Sequence, residues 1–223
     1  MRQPDKIKFR ISFTKLDKCR FLGHLDLQSL FQRAISRAKL PIAYSAGFNP
    51  HQLLSFAQPL SLGYGGLREF LDTEMTEPID GDTIKSRLNQ VLPKGIEILD
   101  AAQMPPQSKS SASMVEKAIY QIHFPDINIS NNNFIDALNK IMEQNQILIY
   151  KKNKKTPEDI RPDIFALALV NNADKTYIRA IVAAGSQRNL RPDSLAKLIL
   201  ENLDCHLPDE EINYVREAIL LAG

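Results

Sequence analysis

At 223 residues the chain is long for one average domain and comfortable for two of about 100 residues each. Its 43% hydrophobic and 24% charged residues can supply a sizeable core, and a net charge of +2 is too near neutral to imply nucleic acid by itself. Cys19 and Cys205 stand far apart with no Cys-x-x-Cys spacing, which excludes a structural zinc knuckle or a cysteine-ligated iron–sulfur cluster within the chain and fits a reducing compartment.

No apolar run approaches the roughly 20 residues that span a bilayer. The opening MRQPDKIKFR carries charge without an apolar stretch behind it, so it does not read as a secretory signal. The expectation is a cytoplasmic protein with no membrane partner. Charge is unevenly spread. Residues 1–50 hold ten basic side chains against three acidic ones, whereas Arg68 to Asp100 holds eight carboxylates against four basic residues. A basic first third on a balanced chain suggests a local anionic partner, although a solvated face explains it about as well.

From Lys6 to Thr14, Ile7, Phe9, Ile11 and Phe13 alternate with polar residues, the pattern of a half-buried strand. Lys15 to Lys18 reads as a polar turn. Between Gly23 and Leu40, Leu27, Leu30, Phe31, Ala34, Ile35 and Ala38 recur at helical spacing, and Pro41 stops the helix. Arg33 and Arg37 lie one turn apart on its other face. Short strands are expected at Ile42–Tyr44 and Leu53–Ala57, a loop at Gly63–Gly66, and a strand at Phe70–Met75. A helix follows over Asp80–Leu92, capped by Asp80 or Asp82, and then a strand over Ile96–Ala101.

Pro105 to Ser113 (PPQSKSSAS) lacks apolar spacing and reads as a linker. The pattern then restarts: a strand at Ala118–Phe124, a helix at Asn133–Met142, a strand at Gln146–Tyr150 and a basic loop at Lys151–Lys155. A hairpin turning at Asn171–Asn172 joins Ile164–Val170 to Tyr177–Ala183, and a helix at Pro192–Asn202 precedes a last strand at Ile212–Leu220. This order predicts an α+β protein of two tandem ferredoxin-like, split βαβ units with antiparallel sheets: residues 1–104, a linker over 105–115, and residues 116–223.

Chemistry-bearing residues concentrate between Arg20 and Gly63. His24 and Asp26 form a His-x-Asp at the helix start, able to act in acid–base work or as part of a metal site, but two residues do not complete one. The plainer reading makes Asp26 a helix-terminal carboxylate, favourable by about 0.3–1 kcal/mol, with His24 helping to cap. The turn Gly47-Phe48-Asn49-Pro50-His51 is more elaborate than joining two short strands requires. As a ligand-facing loop it would present His51, Asn49 and Ser45 near Arg33 and Arg37.

Weaker candidates are Lys151, Lys152, Lys154 and Lys155 as phosphate contacts, and Arg188 and Arg191 before the helix at Pro192. His123 and His206 carry no chemical signature. GYGG at Gly63–Gly66 is too short for a phosphate cradle, and the sequence has no P-loop, Gly-x-Ser-x-Gly or His-Glu-x-x-His. No cofactor or metal is expected, and the residues weigh against an enzyme acting alone.

FLGHLDL at Phe21–Leu27, RAISRAKLP at Arg33–Pro41, YSAGFNPH at Tyr44–His51 and SFAQPLSLG at Ser55–Gly63 together resemble the signature of the radical-SAM-linked protein family. Asp159–Pro162 (DIRP) and Arg191–Leu195 (RPDSL) extend the resemblance over nearly the whole chain. Gln52 departs from it, standing where the family usually has proline. The resemblance implies a domain of unknown function, fused to or encoded beside a radical SAM protein, and hence a separately encoded partner that holds the iron–sulfur cluster. The family's frequent position near genes for ribosomal proteins and an RNA-processing ribonuclease points to RNA, tRNA or rRNA, as substrate. Tandem ferredoxin-like order is also similar to that of CRISPR repeat-processing endoribonucleases, an analogy of fold alone.

The leading expectation is therefore an RNA-presenting accessory of a radical SAM enzyme. Arg20, Arg33, Arg37, Lys151 and Lys152 would meet phosphates, Phe48, Asn49 and His51 a base, with Ser45 and Gly47 shaping the turn. The alternatives are an endoribonuclease or hydrolase using His24, Asp26 and His51, and a module that only docks the radical SAM partner.

Overall fold

The computed structural model describes residues 6–125, 127, 129–150, 156–172 and 175–222. They form a mixed α+β protein with mostly antiparallel strands, divided into two compact units, residues 1–115 with 221–223 and residues 116–220.

The first unit begins with β1 (Ile7–Lys15), whose alternation buries Phe9, Ile11 and Phe13 on one side. β1 pairs antiparallel with β3 (Gly65–Met75) in a register that sets Phe9 opposite Thr73 and Ile11 opposite Leu71. Its other neighbour is β4 (Ile98–Met104), also antiparallel, and the short β2 (Leu54–Phe56) pairs with β3, giving the order β4-β1-β3-β2. Helix α1 (His24–Arg37) buries Leu27, Phe31, Ala34 and Ile35, the face its apolar spacing dictates. Phe31 sits 4.9 Å from the Phe13 ring and 5.6 Å from Phe56, both edge-on, the geometry that aromatic quadrupoles favour. Helix α2 (Gly81–Asn89) is capped by Asp80, whose Oδ1 accepts the Thr83 N–H at 2.7 Å. The same bonding to Thr83 holds the Asp80 carboxyl below its ordinary pKa. A Cβ on Gly81 would lie 2.0 Å from the Ala101 carbonyl oxygen, so only glycine lets α2 start this close to β4.

Several local expectations change. Ile42–Tyr44 is not a strand: Ile42 and Tyr44 make only isolated bridges, to Met75 and Gln52, because the stretch changes partner at Ala43, whose N–H donates to the Glu74 carbonyl and whose carbonyl accepts the Leu53 N–H. Lys15 is the buried end of β1 rather than a turn residue, and a 3-10 turn follows at Asp17–Phe21. β3 starts at Gly65, so half of the expected Gly63–Gly66 loop is strand. The 105–115 stretch is not featureless. Ser111–Met114 form a one-turn helix, α3, capped by Ser110, and Ser111 is fully buried with its N–H donating to Asp72.

In the second unit β5 (Val115–His123), β8 (Ile164–Asn172), β9 (Lys175–Ala183) and β10 (Asn213–Leu221) lie in the order β10-β5-β9-β8, with β5–β9 and β8–β9 antiparallel. Helices α4 (Asn131–Glu143) and α5 (Pro192–Asn202) bury Phe134, Ala137, Leu138 and Ile141, and Leu195, Ala196, Ile199 and Leu200. A two-stranded pair, β6 (Leu148–Ile149) with β7 (Glu158–Asp159), lies between α4 and β8 in the chain. Asn171 and Asn172 belong to β8, opposite Thr176 and Lys175, and are not the turn itself. Lys151, Lys152, Lys154 and Lys155 lie outside the described residues.

Candidate functional site

The Arg20–Gly63 stretch folds as the start of α1, the hairpin-like turn after it and β2 with the loop beyond. At the helix start, Asp26 Oδ2 accepts the Gly23 N–H at 3.3 Å, which makes Asp26 the capping carboxylate of α1. His24 is exposed, its ring edge-on 5.5 Å from Phe56. It borders a void of about 10 Å³, the room of one water, that is also lined by Lys15, Gln58 and Glu69. Lys15 and Glu69 are 1% and 4% exposed, and Lys15 Nζ donates to the Arg20 carbonyl at 3.1 Å.

The turn is closed at its base. Ser45 N–H donates to the His51 carbonyl at 2.8 Å, His51 N–H donates to Ser45 Oγ at 3.1 Å, and Ser45 Oγ meets His51 Nδ1 at 2.8 Å. His51 is thereby oriented, with Nε2 left as the ring nitrogen that bonds nothing among the described residues. Gly47 at φ 122° supplies the backbone angle that a side chain would strain. Gln52 braces the turn from below. Its Nε2 donates to Ser36 Oγ at 3.0 Å and to the Gln32 carbonyl at 3.3 Å, both on α1, while its buried Oε1 has no partner. The departure from the family pattern at Gln52 is thus a structural contact.

On this frame Phe48 is 106% exposed and Tyr44 50%, with Asn49 and Gly47 also at the surface. Phe21, Leu25 and Leu62 are exposed as well, at 64%, 74% and 65%. Leu25 lies off the Leu27–Phe31–Ala34 stripe of α1, a signal readable in the sequence. The surface positions of Phe21 and Leu62 have no such signal.

The three arginines differ. Arg20 Nε donates to the Gly63 carbonyl, and its guanidinium lies 5.4 Å from the Phe21 ring centre, so it ties the 3-10 turn to the loop before β3. Arg37 donates to the Val91 carbonyl at 3.0 Å. Arg33 is exposed and makes no hydrogen bond or ion pair among the described residues. His24, Asp26 and His51 are not gathered into one cluster: among the described residues no three His, Cys, Asp or Glu side chains come together as metal ligands. Arg188, in the second unit, chelates the buried Asp163 and donates to the Asp159 carbonyl, while Arg191 pairs with Asp193. Arg188 thus ties its loop to the 159–163 segment, and Arg191 bonds at the start of α5. No helix among the described residues is long and apolar enough to cross a membrane.

No curated protein is similar enough to the chain to count as a match. A solved structure, described as that of an unknown protein from Galdieria sulphuraria, aligns over 97% of this chain and 99% of its own at 15% identity and a TM-score of 0.29, which transfers neither fold nor role. The model of DUF2344, uncharacterized proteins conserved in bacteria, matches residues 8–192, and the chain belongs to that family.

Proposed function

We propose that this protein is a non-catalytic accessory of a separately encoded radical SAM enzyme, and that its signature face binds RNA, tRNA or rRNA, and presents it to that partner. The observation that carries the RNA reading is Phe48, a phenyl ring fully in solvent at the tip of a turn braced by Ser45, His51 and Gln52. A ring held out of the core by a fixed turn is pre-organised to stack on an unpaired base, and Asn49 and His51 Nε2 flank it with polar groups for base edges. Arg33, unengaged on α1, is the cation available for a phosphate. The radical SAM partner rests on the sequence resemblance alone. The tandem ferredoxin-like reading belongs to the same proposal, supported by the orders β4-β1-β3-β2 and β10-β5-β9-β8, with α1 and α2 in the first unit and α4 and α5 in the second.

The test is RNA binding by the purified protein at several salt concentrations. Phe48→Ala weakens binding by about 1–3 kcal/mol, the worth of one stacked base. Arg33→Ala with Arg37→Ala weakens it further and flattens the salt dependence. Binding untouched by either change refutes the proposal.

A second reading, docking of the radical SAM partner alone, is favoured by Leu25 and Leu62, aliphatic side chains that cannot stack as a ring does. It predicts retention of the partner after ribonuclease treatment and its loss in Leu25→Asp. The hydrolase reading has less support because Asp26 already caps α1. It requires turnover by the purified protein that His24→Ala abolishes with the fold intact.

A further inference from the structure

The side of the first unit's sheet away from α1 carries Lys8 and Arg10 on β1 opposite Glu74 and Asp72 on β3. Such a ladder is ordinarily open to solvent. Here the stretch before α3 crosses above it, tied down by Lys8 Nζ to the Ser108 carbonyl at 3.4 Å and by Arg10 Nη2 to the Lys109 carbonyl at 3.0 Å. A half-open groove of about 290 Å³ runs beside that stretch, with Leu53, Leu54 and Met104 in its walls. That volume is at the small end for ligand sites, about 300–1,000 Å³.

The charges in the groove do not cancel. Arg10 and Asp72 form a closed pair, with Arg10 Nε at 2.8 Å from Asp72 Oδ1 and Asp72 also accepting the Ser111 N–H. Glu74 is met by Lys6 at 3.6 Å. Among the described residues Lys109 makes no side-chain bond, and the side chain of Lys8 makes one, the long bond to Ser108. Lys8 and Lys109 therefore both line the groove without a carboxylate partner among the described residues, beside its apolar walls.

We propose that this groove binds a small aliphatic carboxylate, its head group between Lys8 and Lys109 and its chain against Leu53, Leu54 and Met104. The site is separate from the Phe48 turn and does not depend on the RNA reading.

The experiment is a titration of the isotope-labelled 223-residue chain with hexanoate, hexylamine and hexanol, followed through backbone amide shifts. Hexanoate is expected to shift the amides of residues 53–55, 72–74 and 104–110 saturably, with the other two probes weaker. Lys8→Gln combined with Lys109→Gln should weaken hexanoate roughly fivefold, as for two exposed ion pairs. Ser55→Asp, at an exposed position in the groove wall, should weaken it without touching either lysine. Equal affinity for hexylamine or hexanol, shifts confined to other residues, or no saturable shift with hexanoate would each overturn the proposal.

Discussion

Apart from the one-turn α3 and the β6–β7 pair, the two units run through strands and helices in the same order, yet they hold the segment after their first helix in opposite ways. In the first, the turn over residues 45–52 is closed by neutral bonds, Ser45 to His51, and Gln52 to Ser36 and the Gln32 carbonyl, and Arg20 enters only farther on, at Gly63. In the second, the described residues of 144–163 are closed by charge. Arg161 donates to the carbonyls of Met142 at 2.8 Å, Gln144 at 3.0 Å and Ile164 at 2.9 Å. Asp159 Oδ1 accepts the N–H groups of Ile147 at 2.9 Å and Arg161 at 3.0 Å. Arg188 grips Asp163, whose carboxylate holds the guanidinium protonated above its usual range. Neutral braces fix a turn while leaving rings and Arg33 at the surface. Charged braces consume the arginines that make them, so the DIRP and RPD residues, prominent in sequence, are structural here.

The largest expected effect comes from removing the charged brace. Arg161→Ala strips three backbone carbonyls of one shared donor and should cost about 3 kcal/mol in denaturant unfolding. Arg161→Lys should recover little, because a point charge cannot serve three acceptors in a fork. If lysine restores full stability, charge alone rather than bonding geometry holds the segment.

The neutral brace is worth less. Gln52→Ala loses two bonds but also removes an unpartnered buried oxygen, so about 1 kcal/mol is expected. Its sharper consequence is local: faster amide exchange over residues 45–51 and weaker RNA binding than the stability change explains. Gln52→Pro should be milder than Gln52→Ala, since the bonds that flank the bridge to Tyr44 come from Ser45 and Leu53, not from the Gln52 N–H. Equal loss in both variants would mean the side-chain bonds to α1 carry all of the bracing.

Acid should reach a charged pair of the second unit that lies outside both braces, Arg179 on β9 with Glu217 on β10. Glu217 is held below its ordinary pKa chiefly by the hydrogen bonds from Arg179, 2.9 Å away, with Gln121 adding a further donor. A carboxyl lowered on folding contributes stability that is fully present above its unfolded pKa, about 4.3, and lost as pH falls through the folded value. Glu217→Gln should therefore be less stable than wild type at neutral pH, with the gap closing as pH falls below about 4. A gap independent of pH would assign the effect to packing.

What was legible in the sequence followed from local spacing. The alternation Ile7–Phe13 gave a strand observed at Ile7–Lys15, the stripe through Leu27 and Phe31 gave α1, and Pro192–Asn202 is a helix over its expected length. The capping role of Asp26 was also within reach of spacing, as was the turn at Gly47. What escaped depends on contacts between residues distant in sequence. Ser111 is buried because Asp72, 39 residues away, accepts its N–H, and nothing in PPQSKSSAS announces that partner. Lys15 looked like a turn residue because a buried lysine has no local signature. Gln52 registered as a departure from a pattern, while its contacts lie on a helix 16 and 20 residues back.

The smallest expected effect is at His123, which neither brace involves. Burial chiefly, and then the nearby Lys175 charge, depress its pKa below the usual 6.5, and its ring lies 5.0 Å from Tyr177 with Nε2 at 3.3 Å from Gln121 Oε1. In the unfolded chain the imidazole takes up a proton as pH falls through about 6.5, while in the folded chain it resists until a lower pH. The unfolded state thus binds more protons between those two values, so stability contributed by neutral His123 is full above about 6.5 and declines below it. His123→Gln should flatten the stability profile in that window and leave the carboxylate-driven loss at lower pH in place. An unchanged slope between about pH 5 and 6.5 would place the proton uptake on another group. A slope lost together with the acid transition would instead couple His123 to Glu217 through Gln121, the residue that contacts both.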